Sequence, residues 1–392
     1  MYKIRTYNQI SDTGLSRFPM NNYEIGPDVT EPDAFILRSQ KLHGEPVPDS
    51  LLAVARAGAG VNNIPIDDYT HQGIVVFNTP GANANAVKEL VIGGLLIAAR
   101  NLCDAREHVK ALTETGEELN KAVEAGKKQF VGFELPGKTL GVIGLGAVGV
   151  EVANVALNLG MNVIGFDPNI TVRNAWQLSA GVEHAETLDQ LFQHADAVTL
   201  HVPLIEETKG LVNRDRLALM PKGGVVINFA RGGVVDDDAV LAELDSGHLH
   251  AYVTDFPTEK SLAHENVVAL PHLGASTAEA EENCAIMVAE NVKDYLENGN
   301  IRFSVNFPQA RMARLDAHRI TVANANVPNM VGQISTCLAN AGLNIEDLLN
   351  KSFGDLAYTI VDVNGPVTEE TMAKIRNIDG VLTLRNLGKP VT

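Results

Sequence analysis

The chain has 392 residues, 45% of them apolar, and a formal charge of −17 at pH 7. That length suits two or three domains with buried cores. The acidic balance argues against a nucleic-acid partner, which draws on clustered Lys and Arg, but leaves room for a small anionic substrate held by a few local arginines.

The start, Met1-Tyr-Lys-Ile-Arg-Thr-Tyr7, lacks the apolar run of a signal peptide. From there to about residue 80, short apolar strands at 34–37, 51–55 and 74–77 alternate with turns marked by Gly, Pro and Asn. A helical pattern over 85–100 is apolar all round, as expected of a helix buried between domains; its apolar core at 90–99 is too short to cross a bilayer, so no membrane partner is expected. A polar helix and the loop Gly126-Lys-Lys-Gln129 follow. Strands at 197–200, 225–228, 251–254 and 267–270 then alternate with helices, which predicts a parallel sheet with right-handed crossovers. A long helix at 277–296 leads to Phe303-Ser-Val-Asn306, which returns the chain to the first domain, and 308–317 reads as a linker. The remainder reads as strand 320–323, helix 329–341, two strands around Gly354-Asp355, helix 368–377 and strand 381–384, the β-α-β-β-α-β order of a ferredoxin-like unit. Cys103, Cys284 and Cys337 have no ligand-like spacing and read as reduced thiols, so a cytoplasmic location is expected.

The most specific motif lies in Thr139-Leu-Gly-Val-Ile-Gly-Leu-Gly-Ala-Val-Gly149. Gly144, Gly146 and Gly149 have the G-x-G-x-x-G spacing, with a strand before, a helix after and an acid, Asp167, at the tip of the next strand. Gly144 allows the tight turn, Gly146 lets the backbone approach a pyrophosphate, and Gly149 lets helix and strand pack. The helix N-terminus offers free N–H groups to the phosphates. Asp167 would accept hydrogen bonds from the adenosine ribose and repel a 2′-phosphate, so the expected cofactor is NAD.

Ligands of parallel sheets sit at the carboxyl ends of the strands. Three loops there carry Arg231, Glu259 and His272, a set suited to a 2-hydroxy acid. The Arg would hold a carboxylate bidentately, the His would exchange a proton with the secondary hydroxyl, and the Glu would orient the imidazole. Taken singly, a loop Arg is as readily an anchor, a His after Pro a structural residue and a loop Glu a solvated one; the joint placement after apolar strands favours chemistry. His201, also after a strand, reads as either a cofactor neighbour or a structural residue, and no histidine spacing suggests a metal.

Together with Arg56-Ala-Gly-Ala-Gly-Val-Asn-Asn63, His201-Val-Pro-Leu204, Ala230-Arg-Gly-Gly-Val-Val-Asp236 and Pro271-His-Leu-Gly-Ala-Ser-Thr277, these motifs resemble the D-isomer-specific 2-hydroxyacid dehydrogenase family, in the same order along nearly the whole chain. The resemblance implies two doubly wound parallel-sheet domains: a Rossmann-type cofactor domain (96–282) inserted in a flavodoxin-like substrate domain (1–95 and 283–307). A linker (308–317) and a ferredoxin-like unit resembling an ACT regulatory domain (318–392) complete the expected organisation. Carried over, Arg231, Glu259 and His272 are catalytic. Ala147 and Val148 join the three glycines and Asp167 at the dinucleotide, with Pro203 beside them. Phe229, Ala230, Arg231, His272, Gly274 and Ala275 line the nicotinamide end. The implied substrate is a small phosphorylated 2-hydroxy acid, 3-phospho-D-glycerate, its phosphate held by Arg38 and Arg56 beside Ala57 and Gly58. Lys127 or Lys128 would reach in from a neighbouring subunit of a homodimer or homotetramer.

Some positions depart from the family pattern. The acid usual five residues before the Glu falls on Thr254, with Asp255 beside it, so either could face the nicotinamide. Glu259 is followed by Lys260 where Pro is common, and Lys88 stands where a small residue is usual, as a solvated residue or an extra pocket cation. In the ACT-like unit, Asn324, Asn326 and Asn344 match positions that hold L-serine or another amino acid, although the first is commonly His. Asn offers a zwitterion both donor and acceptor, but these residues also serve as ordinary caps and turns. The rival readings are a family dehydrogenase acting on glycerate, glyoxylate or lactate analogues, and an NADH-sensing binding protein.

Overall fold

The structure is a computed structural model describing residues 1–390. Contact density divides it into two units, with breaks after Ala82 and after Ala280, where the sequence suggested 95 and 282.

The first unit, formed by both ends of the chain, contains two sheets. Strands β1 (Tyr2–Thr6), β2 (Tyr23–Gly26), β3 (Ala34–Leu37), β4 (Ala53–Arg56) and β5 (Val75–Phe77) form a parallel sheet in the order β2-β1-β3-β4-β5. This is the flavodoxin-like order, whose ligands sit at the carboxyl strand ends. β3 and β4 are buried on both faces, which is why they read as unbroken apolar runs. Residues 303–306 return to the edge of this sheet, where Ser304 bridges Phe77 and Val305 N donates to Val76 O at 2.9 Å. Phe303 is in the left-handed region at φ 55°. Asn306 extends the pairing: its Oδ1 accepts from Val76 N at 2.9 Å and its Nδ2 donates to Ile74 O at 2.9 Å, so a side-chain amide completes the edge of β5.

The second sheet of this unit is antiparallel. β13 (His318–Ala325), β14 (Ile345–Phe353), β15 (Leu356–Val363) and β16 (Val381–Gly388) lie in the order β14-β15-β13-β16. The helices Met330–Asn340 and Glu369–Arg376 cover one face, where Ile320, Val322, Ile334, Leu338, Val361 and Ile375 pack together. The period-2 alternation sends Ala323, Tyr358 and Ile360 to the other face, where they share a core with Tyr295, Leu296, Phe307 and Met312. The segment expected to be a linker is packed down: Ala310 exchanges backbone hydrogen bonds with Ile301, and Met312 is buried. Arg319 pins it. Fully buried, this residue makes a two-pronged ion pair with Asp362 at 2.6 and 2.7 Å and donates to the carbonyls of Asn298, Met312 and Ala313, so all five of its N–H groups are used.

The second unit, Asn83–Ala280, holds β6 (Thr139–Ile143), β7 (Asn162–Phe166), β8 (Glu183–His184), β9 (Ala197–Leu200), β10 (Gly224–Asn228), β11 (Leu249–Thr254) and β12 (Val267–Ala269). All are parallel, in the order β12-β11-β10-β9-β6-β7-β8, so the winding reverses between β6 and β9, where a doubly wound sheet opens its ligand crevice. Helices Ala84–Ala99 and Ala147–Asn158 cover one face through Val91, Leu95, Val150 and Ala153. Leu188–His194 and Asp237–Asp245 cover the other through Leu191, Phe192 and Val240. Among the described residues no helix is long and apolar enough to cross a membrane.

Candidate active site

The dinucleotide loop follows β6. Gly144 sits at φ +89°, a conformation other residues avoid, and a Cβ on it would lie 2.6 Å from His201 O. A Cβ on Gly149 would lie 1.9 Å from Gly144 O, so only glycine lets the first turn of the helix Ala147–Asn158 approach the strand. Gly146 differs: a Cβ there would meet nothing within 4 Å. The space over Gly146, at a helix N-terminus whose first N–H groups lack intrahelical partners, fits a pyrophosphate. Asp167 anchors the loop, its Oδ2 accepting from Leu145 N and its Oδ1 from Asn169 N, both at 2.8 Å. A carboxylate has about four acceptor sites, so capacity remains for ribose hydroxyls. Ala147 is exposed and Val148 half-buried at the helix start, and Pro203 is exposed. Burial pushes His201 down to about 3, which keeps the ring neutral, with Nε2 3.1 Å from Thr199 Oγ1.

Arg231 lies beyond β10. Buried Asn228 fixes this loop: its Oδ1 accepts from Ala230 N at 3.1 Å and its Nδ2 donates to Arg231 O at 2.9 Å. Phe229 and Ala230 are buried, and half-buried Arg231 gives one Nη1–H to Ala230 O at 2.6 Å. β11, beside β10, and β12, one strand further out, end in the loops of Glu259 and His272. His272 is exposed, its ring 4.7 Å from that of Phe256. Glu259 is exposed at the start of a short helix capped by Thr258, and among the described residues it makes no hydrogen bond or ion pair with His272. The acid the fold brings near His272 is Asp255. That residue is 2% exposed, and its Oδ2 accepts from Leu273 N at 3.1 Å while its Oδ1 is buried without a partner. Burial raises its carboxyl above the usual range, partly offset by the charge of His272 and by the N–H groups of Leu273 and Gly274. Neighbouring Thr254 is fully buried, its Oγ1 accepting from Phe256 N at 3.0 Å. Gly274 is buried and Ala275 half-buried in the same loop.

In the other unit, Arg38 and Arg56 follow the neighbouring strands β3 and β4. Asn8, left-handed at φ 62°, takes the N–H groups of Arg38, Ser39 and Gln40 on its Oδ1 at 3.3, 3.0 and 2.9 Å. Asn63 holds the carbonyls of Arg38 and Gln40. Arg56 is tied to the same turn, Nε donating to Arg38 O at 2.9 Å and Nη1 to Gly60 O, beside buried Ala57 and half-buried Gly58. Asn8, Asn63 and an acid met by Arg38, Glu281, did not emerge from the sequence. The signal for Asn8 was its position just past β1, where Asn tolerates left-handed backbone and clamps turns. Lys127 and Lys128 are exposed on a short 3-10 turn, Lys127 paired with Glu124, and half-buried Lys88 reaches Asn85 of its own helix.

In the antiparallel sheet, Asn324 is buried at the end of β13, with Nδ2 on Ala325 O and Oδ1 without a partner. Exposed Asn326 donates to Gly354 O, and Asn344 just before β14 receives the Asn364 side chain on its backbone N–H. β13 and β14 each run antiparallel to β15, so they point the same way and put Asn324 and Asn344 at opposite ends of the sheet.

The D-isomer specific 2-hydroxyacid dehydrogenase NAD binding domain family matches residues 92–274. D-3-phosphoglycerate dehydrogenase of Haemophilus influenzae is 32% identical over 349 residues, 86% of this chain and 81% of that protein. The chain belongs to the D-isomer-specific 2-hydroxyacid dehydrogenase family. Hydroxypyruvate reductase of Thermotoga maritima is 38% identical over 281 residues, 69% of this chain and 86% of that protein. The crystal structure of NAD+-bound 3-phosphoglycerate dehydrogenase from Entamoeba histolytica superposes with a TM-score of 0.60 at 28% identity, covering 78% of this chain and 98% of that one. The D-3-phosphoglycerate dehydrogenases of Methanocaldococcus jannaschii and Synechocystis are longer, and the chain spans 64% and 66% of their lengths. Within the family the dinucleotide of the matched domain is NAD, and the glycine cradle and Asp167 fit it.

Proposed function

We propose that the chain oxidises 3-phospho-D-glycerate to 3-phosphohydroxypyruvate, the first step of L-serine synthesis, and runs the reverse reduction in assay. The observation that carries the reading is Arg231 and His272 at the ends of β10 and β12, two positions apart in an NAD-type sheet. NAD, when bound, supplies the hydride acceptor. Arg231 grips the substrate carboxylate with its guanidinium fork and so aims C2. His272 takes the hydroxyl proton on its imidazole, and the same proton returns in the reverse direction. The orphaned Oδ1 of Asp255 is an acceptor suited to a carboxamide N–H of the nicotinamide, which favours Asp255 over Thr254 for that contact. Glu259 keeps the role of imidazole partner in this reading, reached by a change of rotamer. Arg38 and Arg56 take the phosphate, and Lys127 or Lys128 serves a neighbouring copy in a homo-oligomer.

The C-terminal sheet is read as a sensor of L-serine or a similar amino acid. With Asn324 and Asn344 at opposite sheet ends, one zwitterion meets both only where two copies pair along a sheet edge. A cytoplasmic setting completes the proposal, in keeping with three free cysteines. The test is NADH oxidation with 3-phosphohydroxypyruvate, with and without L-serine. Turnover that serine suppresses supports both parts. Turnover indifferent to serine removes the sensor, and absence of turnover removes the substrate. A second reading, reduction of an unphosphorylated 2-oxo acid, is favoured by one observation, the carboxylate of Glu281 on Arg38.

The reading also makes Asp167 the discriminator between NAD and NADP. Replacing it with Ala removes a like-charge contact worth at least ~1.4 kcal/mol against a 2′-phosphate, so the NADPH/NADH ratio of kcat/KM should rise about tenfold or more. Steady-state kinetics with both cofactors decide this; an unmoved ratio assigns Asp167 to loop anchoring alone.

A further inference from the structure

Arg38, expected to bind the substrate's anionic group, already holds one. Its Nη1 lies 2.5 Å from Oε1 of Glu281, and the two side chains are 34% and 46% exposed. Glu281 stands on the helix Ala278–Asn298, which packs under the five-stranded sheet through Cys284, Ala285 and Val288. The arginine end is equally fixed, its backbone clamped by Asn8 and Asn63 and its carbonyl carrying Arg56 Nε. Cys284, one helical turn beyond Glu281, is buried against the sheet.

We propose that Glu281 is a specificity-determining residue that sets the choice between phosphorylated and unphosphorylated substrates; this rests on the assignment of Arg38 to the substrate. A phosphate reaching Arg38 has to displace the carboxylate and then sit beside its negative charge. A half-exposed pair of this kind is worth at most about 1 kcal/mol, so displacement is feasible, but repulsion from the displaced carboxylate persists. A hydroxyl meets a complementary arrangement, donating to Glu281 and accepting from Arg38 with no ion pair broken. Glu281 thus acts as an internal competitor for the phosphate, and its chemistry tilts the site toward 2-oxo acids that end in a hydroxyl.

The test compares 3-phosphohydroxypyruvate with hydroxypyruvate in the wild type, Glu281→Gln and Arg38→Gln. The amide keeps the size of the side chain and its acceptor oxygen but removes the charge. Glu281→Gln should raise the ratio of kcat/KM for the phosphorylated over the unphosphorylated acid about tenfold, through a lower KM for the former, and Arg38→Gln should lower it. A ratio unmoved by Glu281→Gln while Arg38→Gln collapses it overturns the inference and leaves the reaction intact. If the wild type turns over neither acid, the proposed reaction is what fails, and calorimetry with inorganic phosphate then decides the inference. Tighter binding in Glu281→Gln than in the wild type upholds it, and equal affinities overturn it.

Discussion

His272→Ala should lower kcat/KM about a hundred- to ten-thousand-fold, the range for loss of a positioned acid–base group. The ring stands in the loop after β12, faces Phe256 and has its backbone held at Leu273 N by Asp255, so a truncated side chain leaves the loop's anchor in place. The loss should therefore fall on kcat. Arg231→Ala should instead raise KM as well, because in the proposed role its fork would bind the carboxylate in both ground and transition states. Stopped-flow or steady-state assays of folded variants measure the split; turnover of His272→Ala within tenfold of wild type would sink the assignment. Glu259→Gln and Asp255→Asn, run alongside, show which carboxylate serves the imidazole, since only Asp255 is brought near it here.

Asp362→Ala should destabilise the first unit by about 3–5 kcal/mol, because it strands the Arg319 guanidinium in a site with no solvent access. Shortening the acid removes two charge-assisted hydrogen bonds, at 2.6 and 2.7 Å, from the guanidinium. The double variant Arg319→Met/Asp362→Leu should recover much of the loss, since an apolar pair leaves no charge uncompensated, although the carbonyls of Asn298, Met312 and Ala313 then lose their donor. Denaturant titration followed by far-UV circular dichroism reads both; a loss under about 1 kcal/mol for the single variant would mean that water enters the site.

The cofactor cradle was legible because its requirements are local. Three glycines, a strand on either side and an acid lie within thirty residues; Gly144 and Gly149 are demanded by sterics, and Asp167 holds the loop by hydrogen bonds. The parallel sheets were legible for a similar reason, since strands buried on both faces read as apolar runs. Less visible was whatever depends on residues distant in sequence. Glu281 meets Arg38 across more than two hundred residues, and in the sequence it is one acid among several on a helix. The packed segment before β13 read as a linker because its small and polar residues carry no period; the buried guanidinium that pins it comes from the following strand. The return of residues 303–306 to the first sheet was legible, but not the amide of Asn306 that completes the edge of β5. The nearness of Asp255 to His272 depends on how two loops fold back over adjacent strand ends, which spacing alone does not encode.

The antiparallel sheet is covered on both sides, by its own helices on one and by Tyr295, Leu296 and Phe307 on the other, with Tyr358 Oη donating to Gly299 O at 2.8 Å. A C-terminal unit hung on a tether can be gained, lost or exchanged between proteins at little cost to its host. This one cannot be shed so simply. Cutting the chain before β13 would leave aromatic and aliphatic side chains of the first unit facing water, so its removal over evolutionary time would demand re-facing of the helix Ala278–Asn298 in the same lineage. Truncation is accordingly the wrong way to ask whether the C-terminal sheet binds an amino acid, and point changes at Asn324 and Asn344 are the right one.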